Sequence, residues 1–336
     1  MTAAETPLAE LLAQWPTLSG VVRTPEDRFA ALPDFPWTPQ YETLGGPTGT
    51  AIRVACIDEG PRDAPVVLLI HGEPSWGYLY RHMIPPLLAR GLRVVVPDLV
   101  GMGRSDKPMR QNDYSFARHV LWMRAWLLQR NLRRITLYGQ DWGSLIGLRM
   151  ATAHPDRFER LVVANGGLPI GRDPIPMAFR IWRVFSRWSP WFPVGRIVNL
   201  GCVRALTATE QAAYDAPFPS RLHSAGARCF PSLVPIRPDD AEAHANEAAW
   251  AVLREWHKPL VTTFSTRDPI TRGLDLRFQQ QVPGAKGQPH LVVRRASHFL
   301  QEDQGPMLGQ WLAEQVRPTL STPAVHRVSP DAGQRR

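Results

Sequence analysis

Cysteine is scarce in this chain of 336 residues, and its three copies lie far apart. Cys56, Cys202 and Cys229 form no C-x-x-C pair, and no Cys or His pair has the spacing of zinc ligands. An odd and sparse set of cysteines favours free thiols in a reducing compartment over a disulfide framework. We therefore expect a cytoplasmic protein that holds no metal and needs no cofactor.

Long hydrophobic runs are also missing. No apolar stretch approaches the roughly 18–20 residues that a membrane-spanning helix needs. The first residues, Met1–Thr6, include an acidic residue and have neither the basic region nor the apolar core of a secretory signal, so we expect none. Hydrophobic residues make up 44% and charged residues 21%, a balance typical of a globular protein that is one large α/β domain or such a domain with an insertion.

Acidic residues are outnumbered by basic ones, which gives a formal net charge of +9. Such an excess is compatible with binding to nucleic acid or to anionic membranes. However, the basic residues are mostly arginines that are scattered along the chain and mixed with acidic residues, and no nucleic-acid motif accompanies them. We interpret the charge as a solvated basic surface and expect neither nucleic acid nor membrane as a partner.

Short β-branched runs recur along the chain and alternate with helical patterns. Ala51–Ile57 alternates between apolar and polar residues, which predicts a half-buried antiparallel strand. Six further runs are almost continuously apolar, as is typical of strands covered on both faces of a mostly parallel sheet. These runs are Val66–Ile70, Arg93–Val96, Ile135–Tyr138, Leu161–Ala164, Leu260–Phe264 and Leu291–Val293. Strands that alternate with helices predict a doubly wound α/β fold.

One helix is clearly marked between these strands. In Ser115–Asn131 an apolar residue recurs at helical spacing, which predicts one buried stripe. Its members are Phe116, Val120, Met123 and Leu127. A second helix, from Leu145 to Ala153, is expected to end at His154-Pro155, because proline cannot continue it.

The regular alternation stops after Gly167. The chain then becomes rich in Pro, Trp and Arg, and the helical fragments Ala178–Arg187 and Thr209–Asp215 lie between Pro-containing loops. We interpret residues 167–245 as a helical cap inserted into a core formed by residues 1–166 and 246–318. Residues 319–336 have the composition of a disordered tail.

The segment Gly139-Gln140-Asp141-Trp142-Gly143 follows a predicted strand and precedes a predicted helix. This is the pattern of a nucleophile elbow, with Asp141 where serine usually stands. The two glycines suit a sharp turn that lifts the central side chain above the sheet. The alternative is that Asp141 merely caps the helix that follows, as aspartate often does.

Three other positions favour the nucleophile. Glu73 lies in His71-Gly-Glu-Pro74, directly after a strand, where an oxyanion loop is expected. Asp268 and His298 each follow a later strand, so the order is nucleophile, acid, histidine, which is the order of an α/β-hydrolase triad. All of these residues follow the carboxyl ends of strands, where such sheets bind their ligands.

An aspartate nucleophile indicates a particular reaction. A carboxylate has a reference pKa near 3.9, so it is ionised at neutral pH and can attack saturated carbon without a base. The resulting ester would be hydrolysed by water that His298 activates, with Asp268 orienting the ring. Backbone N–H groups of Glu73 and Trp142 would hold the oxyanion of the second step.

From about Phe35 to Leu312 the sequence resembles the haloalkane dehalogenases of the α/β-hydrolase fold, in the subfamily with Asp-His-Asp triads. The resemblance is carried by five segments. They are His71-Gly-Glu-Pro-Ser-Trp-Gly-Tyr-Leu-Tyr80, Pro97-Asp-Leu-Val-Gly-Met-Gly-Arg-Ser-Asp-Lys-Pro108, Gln140-Asp-Trp-Gly143, Tyr214-Asp-Ala-Pro-Phe-Pro219 and Ala225-Gly-Ala-Arg-Cys-Phe-Pro231. It implies Asp141 as nucleophile, His298 as base and Asp268 as triad acid, with a small halogenated alkane, water and halide as the molecules bound.

The resemblance also implies a halide site made by two indole N–H groups. One is Trp142, and the other is Trp182 in Phe179-Arg-Ile-Trp182, with Trp188 and Trp191 as rivals. An indole N–H donates but cannot accept, and its ring excludes water. Glu73 agrees with this subfamily, because a related one has asparagine there and takes its triad acid from the position of Asn165. The part that the Glu73 side chain plays stays open.

Other functions share parts of this pattern. An epoxide hydrolase has the same nucleophile and histidine but uses a pair of cap tyrosines, and between Gly167 and Trp250 this chain has only Tyr214. A fluoroacetate-type enzyme would have Arg beside the nucleophile. A non-catalytic binding protein of this fold is a third alternative, since fold alone does not establish activity. We expect a dehalogenase that acts as a monomer.

Overall fold

The computed structural model describes residues 6–316, and a mostly parallel sheet runs through their centre. The strands are β1 (Val21–Val22), β2 (Gln40–Leu44), β3 (Ile52–Glu59), β4 (Val66–Ile70), β5 (Arg93–Pro97), β6 (Lys107–Pro108), β7 (Ile135–Gln140), β8 (Phe158–Ala164), β9 (Leu260–Ser265) and β10 (Leu291–Val293). Eight of them form the main sheet in the order β10-β9-β8-β7-β4-β5-β3-β2, while β1 and β6 pair separately. Within the main sheet of the described residues, the β2–β3 and β3–β5 pairs are antiparallel and the other pairs are parallel. The separate pair β1–β6 is antiparallel as well.

Eleven α-helices accompany these strands in residues 6–316. They are α1 (Leu8–Ala13), α2 (Ile84–Ala89), α3 (Phe116–Gln129), α4 (Trp142–Ala153), α5 (Met177–Trp188), α6 (Val194–Leu200), α7 (Ala208–Asp215), α8 (Ala225–Leu233), α9 (Ala241–Arg254), α10 (Asp275–Gln281) and α11 (Leu300–Gln315). The doubly wound α/β-hydrolase architecture predicted from the sequence is confirmed. None of the helices in the described part of the chain combines the length and the apolar character needed to cross a bilayer.

The predicted apolar runs became strands because both of their faces are covered. Every residue of β4 is buried, and its neighbours β5 and β7 pair with it in parallel. The predicted stripe of α3 is buried as well, and the Ser115 side chain accepts the first-turn N–H of Arg118 at 3.1 Å. Together these elements place the ends of β4 and β7 next to each other.

Two strand predictions were wrong in their burial. The strand predicted as half-buried, β3, is almost wholly buried, because it pairs with β2 and with β5 instead of lying at the sheet edge. Conversely, β10 is not covered on both faces, because it is the edge strand, and Val292 projects into solvent. The opposite edge, β2, has a polar sequence that gave no strand signal.

Five helices, α5 to α9, connect β8 to β9, with no strand between them in the described chain. The predicted fragments Ala178–Arg187 and Thr209–Asp215 are confirmed as α5 and α7. The boundary predicted at residue 245 falls inside α9, whose Asn246 accepts a hydrogen bond from Arg149 of α4 at 2.9 Å. The division into core and cap therefore stays a prediction, and the predicted tail at 319–336 lies outside the described residues.

A buried cluster of charges joins the inserted helices to the sheet. The Arg81 guanidinium is fully buried and donates to Glu302 of α11 at 2.9 Å and to Glu210 of α7 at 2.8 Å. Arg204 pairs with the same two carboxylates, and the Tyr214 hydroxyl donates to Glu302. Hydrogen bonding from Arg204, which outweighs burial, lowers the pKa of Glu210 to about 2. These ion pairs and the hydrogen bond from Tyr214 therefore fix the inserted helices on the core.

Replacing Arg81 with Met should destabilise the protein strongly, because it leaves buried carboxylates without their central partner. Breaking a buried ion pair in this way costs about 3–5 kcal/mol, so we expect a loss of about 3 kcal/mol, with Arg204 retained. The measurement is the free energy of unfolding in urea. Arg237→Met removes an exposed partner of Asp240 and should cost no more than about 1 kcal/mol. Equal losses in the two variants would contradict the role of the buried cluster.

Candidate active site

Asp141 occupies the sharp turn between β7 and α4. Its backbone angles are φ 52° and ψ −121°, a conformation that L-residues rarely adopt and that needs support from its surroundings. A side chain at Gly143 would bring its Cβ within 1.9 Å of the Ile70 carbonyl oxygen, so only glycine fits there. The predicted elbow is thus present, with its central residue at the carboxyl end of β7.

The carboxylate of Asp141 is not used as a helix cap. A capping side chain accepts a hydrogen bond from the backbone N–H of the second or third helical residue. The Asp141 side chain accepts neither of these bonds. Instead, Oδ1 accepts the backbone N–H of Glu73 at 2.9 Å, and the N–H of Trp142 also stabilises the carboxylate. The capping alternative is therefore wrong, and the two donors named from the sequence both contact this group.

His298 and Asp268 lie beside Asp141, as the triad order predicts. His298 Nε2 is 3.6 Å from Asp141 Oδ2, and His298 Nδ1 is 3.1 Å from Asp268 Oδ2. The imidazole therefore lies between the two carboxylates and presents one nitrogen to each. The Glu73 N–H holds Oδ1 of Asp141, and Oδ2 faces His298.

The electrostatics of the three groups are coupled. Burial alone would lower the pKa of His298, but the Asp268 and Asp141 carboxylates outweigh it and raise this pKa to about 9. Burial raises the pKa of Asp141, and the positive charge of His298 works against that effect. For Asp268, His298 and the neighbouring donors overcome burial, so its pKa is lowered. At neutral pH the site thus contains an imidazolium between two carboxylates.

Several supporting residues were missed from the sequence. Asp268 Oδ1 accepts the N–H of Ile270 at 2.9 Å, and the Thr271 hydroxyl donates to Oδ2. Asn165 donates from Nδ2 to the backbone oxygen of His298 at 3.0 Å and accepts the N–H of Ser265 at 2.8 Å. The sequence analysis considered Asn165 only as a missing acid, whereas here its amide ties the ends of two strands to the loop that carries the histidine.

The loop that contains Glu73 is fixed by a buried histidine. His71 Nε2 accepts the N–H of Leu99 at 3.0 Å, so its Nδ1 donates to the carbonyl oxygen of Gly72 at 2.9 Å. Burial lowers the pKa of His71 to about 4, which keeps the ring neutral at physiological pH. This ring positions the Glu73 N–H that contacts Asp141.

The side chain of Glu73 meets the predicted cap tryptophan. Trp182 donates from its indole Nε1 to Glu73 Oε2 at 3.2 Å, while Glu73 Oε1 is buried without a hydrogen-bond partner among the described residues. Burial, reinforced by the charge of Asp141, raises the pKa of Glu73 well above its usual range. Both effects oppose ionisation of the Glu73 carboxyl group.

A cavity of about 570 Å³ opens above these residues. Asp141, His298, Glu73, Trp142 and Trp182 all line it, whereas the exposed Trp188 and Trp191 do not. Most of the remaining wall is apolar. It includes Leu145, Phe179, Ile197, Val234, Ile270 and Phe299.

Aromatic packing fixes the Trp142 ring in this wall. Its indole lies edge-on between Phe116, at 5.0 Å between ring centroids, and Phe230, at 4.7 Å. Its indole N–H makes no hydrogen bond to another group of residues 6–316, although the ring itself is buried. The Trp182 ring, in turn, stacks on Phe185 and Phe192.

Tyr214, the tyrosine on which the epoxide-hydrolase alternative would depend, lies elsewhere. It is fully buried, its hydroxyl donates to Glu302, and it does not line the cavity. No tyrosine is present among the described residues of the cavity wall. The site therefore offers indole donors near Asp141 and no phenol that could protonate an epoxide oxygen.

Comparisons with known proteins agree with this geometry. Residues 65–196 match the family model of the alpha/beta hydrolase fold. The chain is 51% identical to a haloalkane dehalogenase of Mycobacterium marinum over 86% of its own length and 97% of that protein. It is 49% identical to a haloalkane dehalogenase of Psychrobacter cryohalolentis over 88% and 97% of the two chains. The tetrameric haloalkane dehalogenase of Paraglaciecola agarilytica superimposes with a TM-score of 0.80 at 34% identity, covering 88% of this chain and 97% of that chain.

Replacing Asp268 with Asn should lower the pKa of His298 from about 9, because the nearest carboxylate charge that opposes burial is removed. The pKa is measured by NMR titration of the histidine ring signals. Thr271→Val removes a hydrogen bond to Asp268 but keeps the charge, so it should change this pKa much less. A His298 pKa that stays at its wild-type value in Asp268→Asn would show that Asp268 does not set it.

Proposed function

The chain belongs to the haloalkane dehalogenase family of the α/β-hydrolase fold, and we propose that it hydrolyses haloalkanes to a primary alcohol and halide through an alkyl ester on Asp141. One observation carries this proposal. The Asp141 carboxylate is held by two backbone N–H groups, and its other oxygen lies 3.6 Å from His298 in an apolar cavity. This arrangement suits attack on saturated carbon followed by hydrolysis.

In the first step Asp141 Oδ2 attacks the carbon that bears the halogen. A carbon–oxygen bond forms as the carbon–halogen bond breaks, and the halide leaves with the bonding electrons. The backbone N–H of Glu73 holds Oδ1, so the attacking oxygen is oriented before the substrate enters. The apolar wall keeps water away from the carboxylate while the substrate reacts.

In the second step water attacks the carbonyl carbon of the ester. His298 accepts a proton from this water, and the N–H groups of Glu73 and Trp142 stabilise the negative charge that develops on Oδ1. The tetrahedral intermediate then collapses, its bond to the alkoxide oxygen breaks, and His298 returns its proton to this oxygen to give the alcohol. The second proton of the water is lost to solvent, which restores the Asp141 carboxylate. Asp268 stabilises the imidazolium that forms in this step, at a distance of 3.1 Å from Nδ1.

The first step prepares His298 for the second. In the free enzyme the negative charge of Asp141 contributes to the raised pKa of His298, which keeps the imidazole protonated. Alkylation converts that carboxylate to a neutral ester, so the contribution is lost and the pKa of His298 falls. Alkylation thus shifts His298 toward the neutral form that can accept a proton, while the larger contribution of Asp268 remains.

We assign halide stabilisation to the indole N–H groups of Trp142 and Trp182. The Trp142 N–H makes no hydrogen bond to another group of the described chain, and the Trp182 N–H points at Glu73, the residue whose backbone contacts Asp141. Burial and the nearby charge of Asp141 oppose ionisation of Glu73, and this lessens the repulsion of a departing anion by its side chain. Halide would replace Glu73 Oε2 as the acceptor of the Trp182 N–H.

The proposal extends to substrate size and setting. A cavity of about 570 Å³ with apolar walls suits short to medium chloro- and bromoalkanes. The three cysteines are free thiols, which agrees with a cytoplasmic location. A monomer is proposed as well, although the similar Paraglaciecola agarilytica enzyme is tetrameric.

Replacing His298 with Gln should stop the reaction after the first step, because no base activates the hydrolytic water. With 1-bromobutane, we expect bromide release of about one equivalent per protein and an added butyl group on Asp141, detected by mass spectrometry of peptides. Wild type should release bromide with turnover and show no lasting adduct. An unmodified Asp141 in the variant would argue against the ester route.

The same assay separates the two candidate activities. Wild-type protein is incubated in parallel with 1,2-epoxybutane, and diol formation is measured beside bromide release. A dehalogenase should release bromide and leave the epoxide unchanged, because no cavity tyrosine can protonate its oxygen. Diol without bromide would overturn the proposed function in favour of an epoxide hydrolase.

Trp182→Phe should weaken halide binding, because it removes an indole N–H but keeps an aromatic ring in the wall. A hydrogen bond to a charged partner contributes roughly 1.5–3 kcal/mol, so the dissociation constant for bromide should rise by about tenfold or more. Binding is measured by quenching of tryptophan fluorescence. Trp188→Phe is the control, since this exposed ring on the same helix does not line the cavity. A larger effect of Trp188→Phe would show that the assignment is wrong.

A further inference from the structure

The outer side of α5 is apolar, although it faces solvent. Four of its residues, Met177, Ile181, Val184 and Trp188, recur at i, i+4, i+7 and i+11 and are 63–69% exposed. At this spacing they share one side of the helix, and we call them the α5 stripe. A row of large apolar side chains in water marks an interaction surface more often than isolated exposed residues do.

The chain around the α5 stripe carries positive charge and no negative charge. Residues 174–209 contain five arginines and neither aspartate nor glutamate. They are Arg180, Arg183, Arg187, Arg196 and Arg204. Of these, only Arg204 forms an ion pair with a carboxylate in the described part of the chain. Arginines are scattered along the whole sequence, so the arginines of this segment do not stand out in it. For this reason the sequence alone predicts no membrane partner.

The uncompensated arginines lie next to the apolar residues. Arg187 packs its guanidinium over the Trp188 ring at 5.5 Å from the centroid. Arg196 lies over the ring of Trp191, which is also exposed, at the same distance. Exposed indoles beside unpaired cations are typical of helices that lie in the interface of a membrane.

We propose that the α5 stripe and its arginines dock on an anionic lipid surface. The apolar side chains would enter the boundary between headgroups and acyl chains, and the arginines would contact the lipid phosphates. Charge decides against a second copy of this chain as the occupant. A twofold contact through the stripe would bring the same unpaired arginines of both copies together, and no carboxylate of residues 174–209 would offset their repulsion.

Docking would bring the lipid close to the cavity. Phe179 and Trp182 of α5 line the cavity, whereas the stripe occupies the outward side of the same helix. One helix thus separates the cavity from the docked surface. If the cavity binds haloalkanes, which rests on the proposed function, apolar substrate dissolved in the bilayer would be concentrated beside it.

The test is co-sedimentation of the full chain with vesicles of phosphatidylglycerol and phosphatidylcholine, compared with vesicles of phosphatidylcholine alone. We expect binding to the mixed vesicles, little binding to the neutral ones, and release by salt at about 1 M, where charges are screened beyond about 3 Å. Docking predicts a shift of tryptophan fluorescence to shorter wavelength. Absence of binding to the anionic vesicles would overturn the proposal.

Matched variants locate the contact. Val184→Asn should weaken binding by about tenfold, because a buried valine side chain contributes about 1.5 kcal/mol or more. Val292→Asn is the control, since Val292 has the same exposure of 64% but lies on β10. Arg180→Gln should weaken binding by about fivefold, and Arg90→Gln, an exposed arginine at the end of α2, should change it less.

Three outcomes of the variant series would contradict the proposal. Equal weakening by Val184→Asn and Val292→Asn would show that binding does not depend on the α5 stripe. A wild-type oligomer in size-exclusion chromatography that Val184→Asn dissociates, without vesicle binding, would assign the stripe to a second copy. Retention of a lysate protein without vesicle binding would assign it to a protein partner. Bromide release by the variants in solution is expected to be unchanged, so failure of docking and failure of the proposed reaction can be distinguished.

Discussion

The turn at Asp141 is the constraint on which the site depends. A buried carboxylate is stable only with donors or opposite charge beside it, and Asp141 has both. The N–H of Glu73 holds one oxygen, and His298 lies 3.6 Å from the other. The unusual backbone angles of Asp141 are what direct its side chain toward these partners instead of toward its own helix. The elbow, the oxyanion loop and the histidine therefore form one interdependent unit.

The parallel sheet makes this unit possible. Strands β4, β7 and β9 run in the same direction, so their carboxyl ends lie on one side of the sheet. Glu73, Asp141 and Asp268 follow these ends, although they are far apart in sequence. His298 follows the carboxyl end of β10, on the same side of the sheet. The weakness of β10 as an exposed three-residue strand is offset by Asn165, whose amide donates to the histidine backbone. The arrangement of these residues at the carboxyl ends of the strands is thus maintained by side-chain hydrogen bonds in addition to strand pairing.

Sequence patterns predicted the parts of the fold that follow from periodicity and turn chemistry. The central strands, α3 and the elbow at Asp141 carry such signals, because burial on both faces or on one side determines which residues can stand there. The edge strand β2 carries none, because its polar residues face solvent. The order of Asp141, Asp268 and His298 could be predicted as well, because each of these residues follows a strand that its apolar pattern predicts.

Contacts between distant segments could not be read in this way. The bond from Trp182 to Glu73 joins residues 109 positions apart, and no local pattern selects Trp182 over Trp188. The same holds for Asn165, which is one residue beyond a strand and could as well be an ordinary loop asparagine. Its importance depends on Ser265 and His298, which reach it only in the folded chain.

Helix α5 shows why apolar periodicity alone does not indicate what a surface contacts. Two sides of this helix are apolar, one carrying Phe179 and Trp182 toward the cavity and the other carrying Ile181 and Val184 into solvent. Periodicity predicts a helix from both sets but cannot say which side is covered. The partial burial of Phe179 and Trp182 shows that the inner side closes the cavity. The arginines without an ion-pair partner show that the outer side is not a surface meant to pack in the protein core. The cavity side and the solvent side of this helix carry different residues, so substitutions at Ile181 or Val184 change its outer surface without changing the side chains that line the cavity beside Asp141.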